Sequence, residues 1–315
     1  MVNPRVGVFG KLTSAGDFVA HNASQPAART LQDWLVAEVE NLAAKRKHLP
    51  MVPVKFLIRD PSGSNACVGA FAPSRDRVGR EFPLCAFSYV DVPVATHRYP
   101  SLPVAYEAFL EAAAHVVGEA AGSMLDLHSV LARIDAIAQP GPSQLEDARV
   151  WTHQALDATG GQTILEALFG PLVAGGGFHG MHMFTTACAQ VRGGDPGRAS
   201  IVLDCPCTDD VQLVFWLRLA QDLLAWQRSP PSLFWTGPGG PSSRLLVALG
   251  APPAGIVHFL SDATVAAEKL WPIRSPAAGS ASIDAGRRGL SPGRVRTLTV
   301  PPATAAGVLA AIAAG

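Results

Sequence analysis

Apolar residues recur along the chain in two periods, which predict strands and helices. Short apolar runs bounded by Gly, Pro, Asn or Ser predict β-strands. These runs are residues 6–9, 54–59, 66–72, 82–90, 200–205, 232–236 and 244–249. Apolar residues three and four positions apart predict amphipathic helices. This second pattern is clear at 31–42, 106–117, 127–138 and 213–224, and weaker at 145–156 and 163–169.

The order of these elements indicates the fold class. Several predicted strands follow one another directly, whereas a doubly wound parallel sheet needs a helix between successive strands. We therefore expect an α/β sandwich with a mixed, partly antiparallel central sheet flanked by helices. We expect residues 1–272 to form one α/β domain, with about 143–198 as a helical insertion.

Glycine and proline are abundant, with 30 and 26 residues in a chain of 315. Residues 275–293 are rich in Ser, Gly, Ala and Pro, which predicts a flexible linker. A short edge strand is expected at 294–300. We therefore expect 273–315 to be a flexible linker and C-terminal tail. An exposed turn is expected at 193–197, where Gly, Asp and Pro cluster.

Charge and composition exclude several classes of protein. Lys and Arg total 25, as do Asp and Glu, so a general nucleic-acid binder, which needs a basic face, is not expected. No stretch reaches the roughly 18 to 20 apolar residues of a membrane span, and the N-terminus lacks the apolar core of a signal peptide. Five scattered cysteines do not form a secreted disulfide framework. We expect a cytoplasmic protein with no direct membrane insertion.

A polar loop follows the first predicted strand. It is Gly-Lys-Leu-Thr-Ser-Ala-Gly-Asp-Phe-Val, residues 10–19. A phosphate-binding loop needs Gly five residues before its Gly-Lys pair and Ser or Thr directly after the pair. Arg5 and Leu12 hold those positions, so this loop is not expected to bind a nucleotide.

A second loop, residues 73–83, holds five charged residues between two apolar strands. Ser74 and Asp76 can accept hydrogen bonds from nearby backbone amides, and Arg77 and Arg80 offer donors to carboxylates. Asp17 is the natural partner if the two loops meet. Structure, partner binding and catalysis all remain open as roles for such a network. The candidate residues are Lys11, Ser14, Gly16, Asp17, Ser74, Asp76, Arg77, Gly79 and Arg80.

In combination the two loops resemble the motifs of the TagF family, also called ImpM, of type VI secretion-associated proteins. One family pattern is Gly-Lys-Leu-Pro-Ser-x-Gly-Asp-Phe, which residues 10–18 follow with Thr13 in place of Pro and Ala15 in place of the usual Arg. The other is Ser-x-Asp-x-x-Gly-Arg-x-Phe-Pro-Leu, which residues 74–84 follow. Further matches are Trp34, the aromatic strand 232–236 and the segment 250–252. The resemblance covers about residues 1–130 and 200–262.

The resemblance implies a cytoplasmic accessory protein of type VI secretion, without enzymatic activity or a cofactor. TagF-like proteins act as post-translational repressors and limit the availability of a forkhead-associated scaffold protein. The implied partners are this scaffold protein and other secretion components. We expect a surface formed by loops 10–19 and 73–83 to bind the partner and keep it from the assembling apparatus. The residues do not separate a repressor from an activator or an adaptor.

A metal-dependent hydrolase or phosphatase-like enzyme is the alternative from another class. It would use His179, His182 and Asp204, in and beside the insertion. Histidines three residues apart can hold a metal on one helix face, but the glycines around them predict a loop. The Cys-Pro-Cys at 205–207 lacks the second cysteine pair of a zinc site, and Asp209 is expected to cap the next helix. No metal site is predicted.

Overall fold

A computed structural model describes most of the chain. The described residues are 6–59, 65–91, 98–192, 200–224, 230–236, 244–250, 252–261, 269–274 and 279–315. The turn expected at 193–197 lies outside them. Among the described residues, no helix combines the length and the apolar composition that crossing a membrane requires.

The strands form one mixed sheet. They are β1 (Val6–Lys11), β2 (Phe18–His21), β3 (Val54–Arg59), β4 (Asn65–Ala72), β5 (Leu84–Asp91), β6 (Ser200–Pro206), β7 (Ser232–Thr236), β8 (Arg244–Gly250) and β9 (Leu270–Pro272). Their order across the sheet is β2-β1-β5-β4-β3-β7-β8-β6-β9. Paired strands are antiparallel except β6 and β9, which are parallel. The predicted mixed sheet is confirmed, and every predicted strand before residue 273 is present within two residues of its expected ends.

Helices cover both faces of the sheet. They are α1 (Pro26–Ala44), α2 (Leu102–Ala105), α3 (Glu107–Gly122), α4 (Leu127–Asp135), α5 (Pro142–Ala158), α6 (Gly161–Phe169), α7 (Gly176–Arg192), α8 (Asp210–Leu224), α9 (Ile256–Ser261), α10 (Ser280–Gly289), α11 (Pro292–Thr299) and α12 (Ala305–Ala314). Short 3-10 turns lie at Tyr99–Ser101 and Leu172–Ala174. Helices α1 and α9 pack on one face, and α3, α7 and α8 pack on the other.

The central strands are buried on both faces. Phe56 and Ile58 of β3 belong to the core under α1, together with Trp34. Leu57, between them in sequence, belongs to the larger core under α3, together with Phe109. Successive side chains of a strand point to opposite faces, so a strand covered on both sides is apolar at most of its positions. This is why β4 and β5 are nearly continuous apolar runs in the sequence, whereas β3 also carries the buried Lys55 and Arg59.

Two side chains of α1 join this helix to α9. The indole N–H of Trp34 donates to the carbonyl of Pro253, at 3.3 Å. One turn later, the buried Glu38 carboxylate accepts the backbone N–H groups of Gly255 and Ile256, each at 2.7 Å. Burial raises the pKa of Glu38 to about 7, although the hydrogen bonds from the helix N-terminus act in the opposite direction.

The predicted C-terminal linker is wrong, because most of residues 279–315 are helical. Helices α10 and α11 occupy the expected linker and the expected edge strand at 294–300. Helix α12 follows, and its Val308, Leu309 and Ile312 are buried in the larger core. The segment is therefore an integral part of the helical layer and not a tail.

Close helix packing explains the small residues that suggested a linker. A Cβ atom on Gly286 would lie 2.7 Å from the carbonyl oxygen of Phe178 on α7. A Cβ atom on Gly289 would lie 2.3 Å from the ring of His182. Glycine is needed here because two helices approach closely, and not because the chain is flexible. Composition does not distinguish these two uses of glycine.

The same C-terminal segment is tied to the region expected as an insertion. The N–H of Gly161 donates to the carbonyl of Ala303, at 3.1 Å, and the N–H of Ala305 donates to that of Thr159, at 2.8 Å. Helix α12 packs on α5, α6 and α8. Helices α5 to α7 and α10 to α12 thus cover one another on the same side of the sheet.

Candidate functional site

The two charged loops lie together, and all of the predicted candidate residues belong to this one assembly. The loop 12–17 joins β1 to β2, and the loop 73–83 joins β4 to β5. The backbone N–H of Arg77 donates to the carbonyl of Ala15, at 2.8 Å. The hydroxyl of Ser74 donates to the carbonyl of Lys11, also at 2.8 Å. Backbone and side-chain bonds thus join the loops at more than one point.

A buried carboxylate, Asp76, lies at the centre of this assembly. Its Oδ1 accepts the backbone N–H groups of Val78, at 3.1 Å, and Arg80, at 2.9 Å. Its Oδ2 accepts the Nε–H of Arg80, at 2.7 Å, and lies 3.1 Å from Nζ of Lys11. Burial by itself raises the pKa of Asp76, but the hydrogen bonds and positive charges of Arg80 and Lys11 outweigh it. The pKa of the carboxyl is therefore well below its usual range, and Asp76 is ionised at neutral pH.

The expectation that Asp17 is the partner of these arginines is wrong. The Asp17 carboxylate is exposed and accepts the N–H of its neighbour Phe18, at 2.8 Å. Asp76, and not Asp17, is the carboxylate that binds Arg80. The two residues lie in the same turn, so their contact does not depend on bringing distant segments together. The Arg80 guanidinium still spans the loops, since its Nη2 donates to the carbonyl of Gly16, at 2.8 Å.

A tight hairpin within residues 74–82 sets the shape of the second loop. The N–H of Phe82 donates to the carbonyl of Ser74, at 3.0 Å, and the N–H of Asp76 donates to that of Arg80, at 3.1 Å. Gly79 has a φ of +89°, a conformation that side-chain-bearing residues rarely adopt. The hairpin therefore depends on glycine at this candidate position.

The first loop is fixed to the segment between α3 and α4. The Ser14 hydroxyl donates to the carbonyl of Leu125, at 2.7 Å. The Thr13 hydroxyl donates to the carbonyl of Ser123. Thr13 stands where the TagF pattern has proline, so the departure supplies a donor that proline lacks. Both hydroxyls therefore fasten the first loop to the segment between α3 and α4.

The outer side of the assembly combines apolar and basic groups. Phe18 is 46% exposed and Val78 is 67% exposed. The Phe18 ring packs on Phe82, with centroids 4.8 Å apart, so it is held in place although half of it is open to solvent. Arg77 and Arg80 are exposed beside them. Ordered aromatic and arginine side chains are typical of protein interfaces.

The histidines of the alternative enzyme lie on a helix, so the predicted loop is wrong. His179 and His182 both belong to α7. A Cβ atom on Gly180 would lie 2.4 Å from the ring of Phe169, so this glycine permits close packing within the helical layer. The third proposed residue, Asp204, accepts both Nε and Nη2 of Arg244, at 2.9 and 2.5 Å. Within the described ranges, no group of three His, Cys, Asp or Glu is placed to hold a metal ion.

The Cys-Pro-Cys segment is structural. Both Cys205 and Cys207 are buried, and burial raises the pKa of each thiol. The Asp209 carboxylate accepts the backbone N–H of Gln212, at 2.8 Å, at the start of α8. The predicted helix cap is confirmed. Protonated, buried thiols are unreactive, so these cysteines are poor nucleophiles or metal ligands.

A small polar pocket was not found from the sequence. Its ionisable residues are Lys55 of β3, Glu107 and Glu111 of α3, and Asp209 and Asp210 at the start of α8. Lys55 is buried and forms an ion pair with Glu111. Burial, and the nearby charge of Asp210, raise the pKa of Glu107. These residues come from three separate segments, so no local motif indicates the pocket.

Comparisons with known proteins gave a family match and a similar solved structure. Residues 7–137 match the sequence model of the TagF N-terminal domain, described as type VI secretion system-associated. A search of curated proteins gives no match. The chain is similar to PA0076 from Pseudomonas aeruginosa PAO1, known from a crystal structure, with 18% sequence identity and a TM-score of 0.49. That alignment covers 85% of this chain and 98% of the other.

The fold and the paired loops define a mixed α/β protein whose N-terminal part matches a secretion-associated family. Residues 7–137 match the model of the TagF N-terminal domain, so the resemblance carried by the two loops is confirmed for this part of the chain. Both loops lie inside the matched range.

Proposed function

We propose that this protein is a type VI secretion accessory protein that acts as a post-translational repressor by binding a forkhead-associated scaffold protein. The match of residues 7–137 to the TagF N-terminal domain supports the accessory role. The observation that carries the proposal is the joined surface of loops 10–19 and 73–83, which lies within this range. Repression would follow from stoichiometric binding, because a scaffold protein held here is withheld from assembly.

The construction of the surface supports binding more than catalysis. Lys11, Ser74 and Asp76 are buried and bonded to one another or to the loop backbone, so they support the surface from below. Phe18 and Arg77 lie on the outside. Their apolar and guanidinium groups are suited to an apolar contact and to carboxylates of a partner. The proposed function therefore needs no bond-making residue, metal or cofactor.

The test is co-purification with the forkhead-associated protein of the same organism. Arg77→Glu and Val78→Asp change exposed side chains of the surface. Val173, which is 98% exposed, and Arg288, exposed on α10, provide the matched controls Val173→Asp and Arg288→Glu. Arg80 is unsuitable as the first target, because its side chain also holds Asp76 and Gly16.

We expect the wild type and both controls to form a stable complex, and both loop variants to lose it while keeping the wild-type melting temperature. Overproduction of the wild type, but not of the loop variants, should then block effector secretion. A folded wild type that forms no complex would contradict the scaffold-binding proposal. Complex formation with unchanged secretion would favour an adaptor.

A further inference from the structure

Two adjoining cavities lie beside the second loop, along the segment 45–53 that connects α1 to β3. Their volumes are about 420 Å3 and about 350 Å3. They share His48, Leu49 and Glu81, so together they form one groove. Each is large enough to hold several side chains of a bound peptide. We call this feature the 45–53 groove.

The rim of the 45–53 groove exposes large apolar side chains. Met51, which lines the larger cavity, is 87% exposed, and Val52 beside it is 52% exposed. Pro53 and Ala72 continue the apolar lining. Methionine is flexible and polarisable, so an exposed methionine adapts to apolar groups of a partner.

Positive charge dominates the walls of the groove. Arg46 and Lys47 line the smaller cavity, and Arg75 lines the larger one. The carboxylate that faces them is Glu81, which lies 3.8 Å from the ring of His48. Three permanent cations therefore face one lining carboxylate. This imbalance is complementary to an acidic ligand.

The backbone at Arg46 is in a conformation that favours glycine. Its φ is 53°, in the left-handed region. Arg46 N–H donates to the carbonyl of Ala43, at 3.0 Å, and Lys47 N–H donates to that of Leu42, at 2.9 Å, which is the usual hydrogen-bond pattern at a helix end. Glycine would close α1 here without strain, yet the chain has an arginine at this position in the groove lining. Strain retained at a surface position points to a use for that side chain.

We propose that the 45–53 groove binds an acidic segment of a partner protein, with an apolar side chain against Met51 and carboxylates against Arg46, Lys47 and Arg75. The inference rests on the proposed function only in that the segment would belong to the same partner. The groove adjoins loop 73–83 through Ser74, Arg75 and Glu81, so one partner can cover both surfaces.

The probe is a fluorescent peptide in which Asp and Glu flank leucines, added to the full chain and followed by fluorescence anisotropy. The control peptide has Asn and Gln at the same positions. Arg46→Asn removes the charge but tolerates the left-handed backbone, whereas Arg46→Lys keeps the charge. Lys47→Glu and Met51→Asp test the other two contacts, and Arg288→Glu and Val173→Asp serve as distant controls.

We expect the acidic peptide to bind the wild type, Arg46→Lys and both distant controls, and to bind Arg46→Asn, Lys47→Glu and Met51→Asp at least about tenfold more weakly. Binding should also weaken as salt rises, because exposed charges are screened. Melting temperatures establish that each variant is folded.

Three results would overturn the inference: equal binding of the neutral peptide, wild-type affinity in all three groove variants, or no binding of the acidic peptide. The protein could instead bind phosphatidylglycerol vesicles and not the peptide, and lose that binding in the same variants. This result would identify the ligand of the groove as a membrane surface and not a protein segment. The peptide assay does not use the scaffold protein, so a negative peptide result leaves the proposed function standing. If co-purification with the scaffold protein fails instead, the peptide assay still tests whether the groove binds an acidic segment.

Discussion

Arg80 is bonded twice to the buried carboxylate of Asp76, once through its backbone N–H and once through its guanidinium Nε. The same guanidinium reaches across to the carbonyl of Gly16 in the neighbouring loop. One side chain therefore closes the hairpin and joins the two loops. The loops keep their shape through this pair, while Arg77 and Val78 remain open to solvent.

Replacement of Asp76 by asparagine should destabilise the protein. The variant leaves Lys11 buried without its counter-charge and weakens the bonds to Arg80. Because the native pKa of Asp76 is lowered, its stabilisation is present above the unfolded pKa of about 4 and is lost as the pH falls further. Urea unfolding should show a lower midpoint for Asp76→Asn near neutral pH, and the difference from wild type should narrow in acid.

Asp17→Asn is the matched control for this prediction, since Asp17 is exposed and bonded to its own neighbour. It should unfold at the wild-type urea concentration. Equal loss of stability in the two variants would show that Asp76 is not the centre of the loop network.

Glu38 should make the protein less stable as the pH rises. Burial raises the native pKa to about 7, above the unfolded value of 4.5, so the folded state holds this proton more tightly. The stabilisation that Glu38 contributes is fully present below about pH 4.5 and is lost as the pH rises through 7. A pKa shift of this size corresponds to about 3 kcal/mol of unfolding free energy. Urea unfolding across this pH range measures it.

The matched variant for this prediction is Glu38→Gln, which keeps an oxygen for the N–H groups of Gly255 and Ile256 but does not titrate. Its free energy of unfolding should vary less with pH over the same interval. Identical pH profiles for the variant and the wild type would exclude Glu38 as the source.

Arg46→Gly should stabilise the fold by up to about 1 kcal/mol, because it relieves a left-handed conformation that is costly for a side-chain-bearing residue. Thermal melting of the full chain measures the change. Lys47→Gly is the control, since Lys47 does not share the positive φ of Arg46 and glycine there adds only backbone freedom. A more stable Arg46→Gly protein that binds the acidic peptide less well would show two separate effects of Arg46: its backbone conformation destabilises the fold, and its side chain contributes to peptide binding.

Gly286→Ala should destabilise the helical layer by about 1 to 3 kcal/mol. The new methyl group would lie 2.7 Å from the carbonyl oxygen of Phe178, and backbone atoms cannot move aside without shifting a helix. Gly293→Ala in α11 is the opposite case, because its nearest neighbour is 3.9 Å away and alanine favours helix. Denaturant unfolding should move in opposite directions for the two variants, and a loss of stability in both would argue against close packing as the cause.

The central strands could be predicted because burial on both faces leaves an apolar run in the sequence. The edge strands β2 and β9 were missed, since they have only four and three residues, too few for a pattern to stand out. Helices α10 and α11 were missed for a different reason. Their contacts with α7 use glycine, and a sequence rich in Gly, Ser and Ala resembles a linker.

For the candidate site, the sequence named residues that the structure brings into one assembly, but it did not indicate how they pair. The motifs indicated that loops 10–19 and 73–83 act together, and the structure brings them into contact. The choice of Asp76 over Asp17 depends on side-chain geometry that spacing does not contain. The small polar pocket lined by Lys55 and Glu107 and the 45–53 groove each combine distant segments, so no local pattern could have indicated them.

The bonds around Asp76 also bear on how tightly a partner can be held. A loop that becomes ordered only on association loses conformational entropy at that moment, which weakens the complex. Here the hairpin, the Ser14 and Ser74 anchors and the Arg80 bridge restrict the loops before any partner arrives. A partner bound here as proposed would meet loops that already have their bound shape, so a modest contact area could still give a long-lived complex.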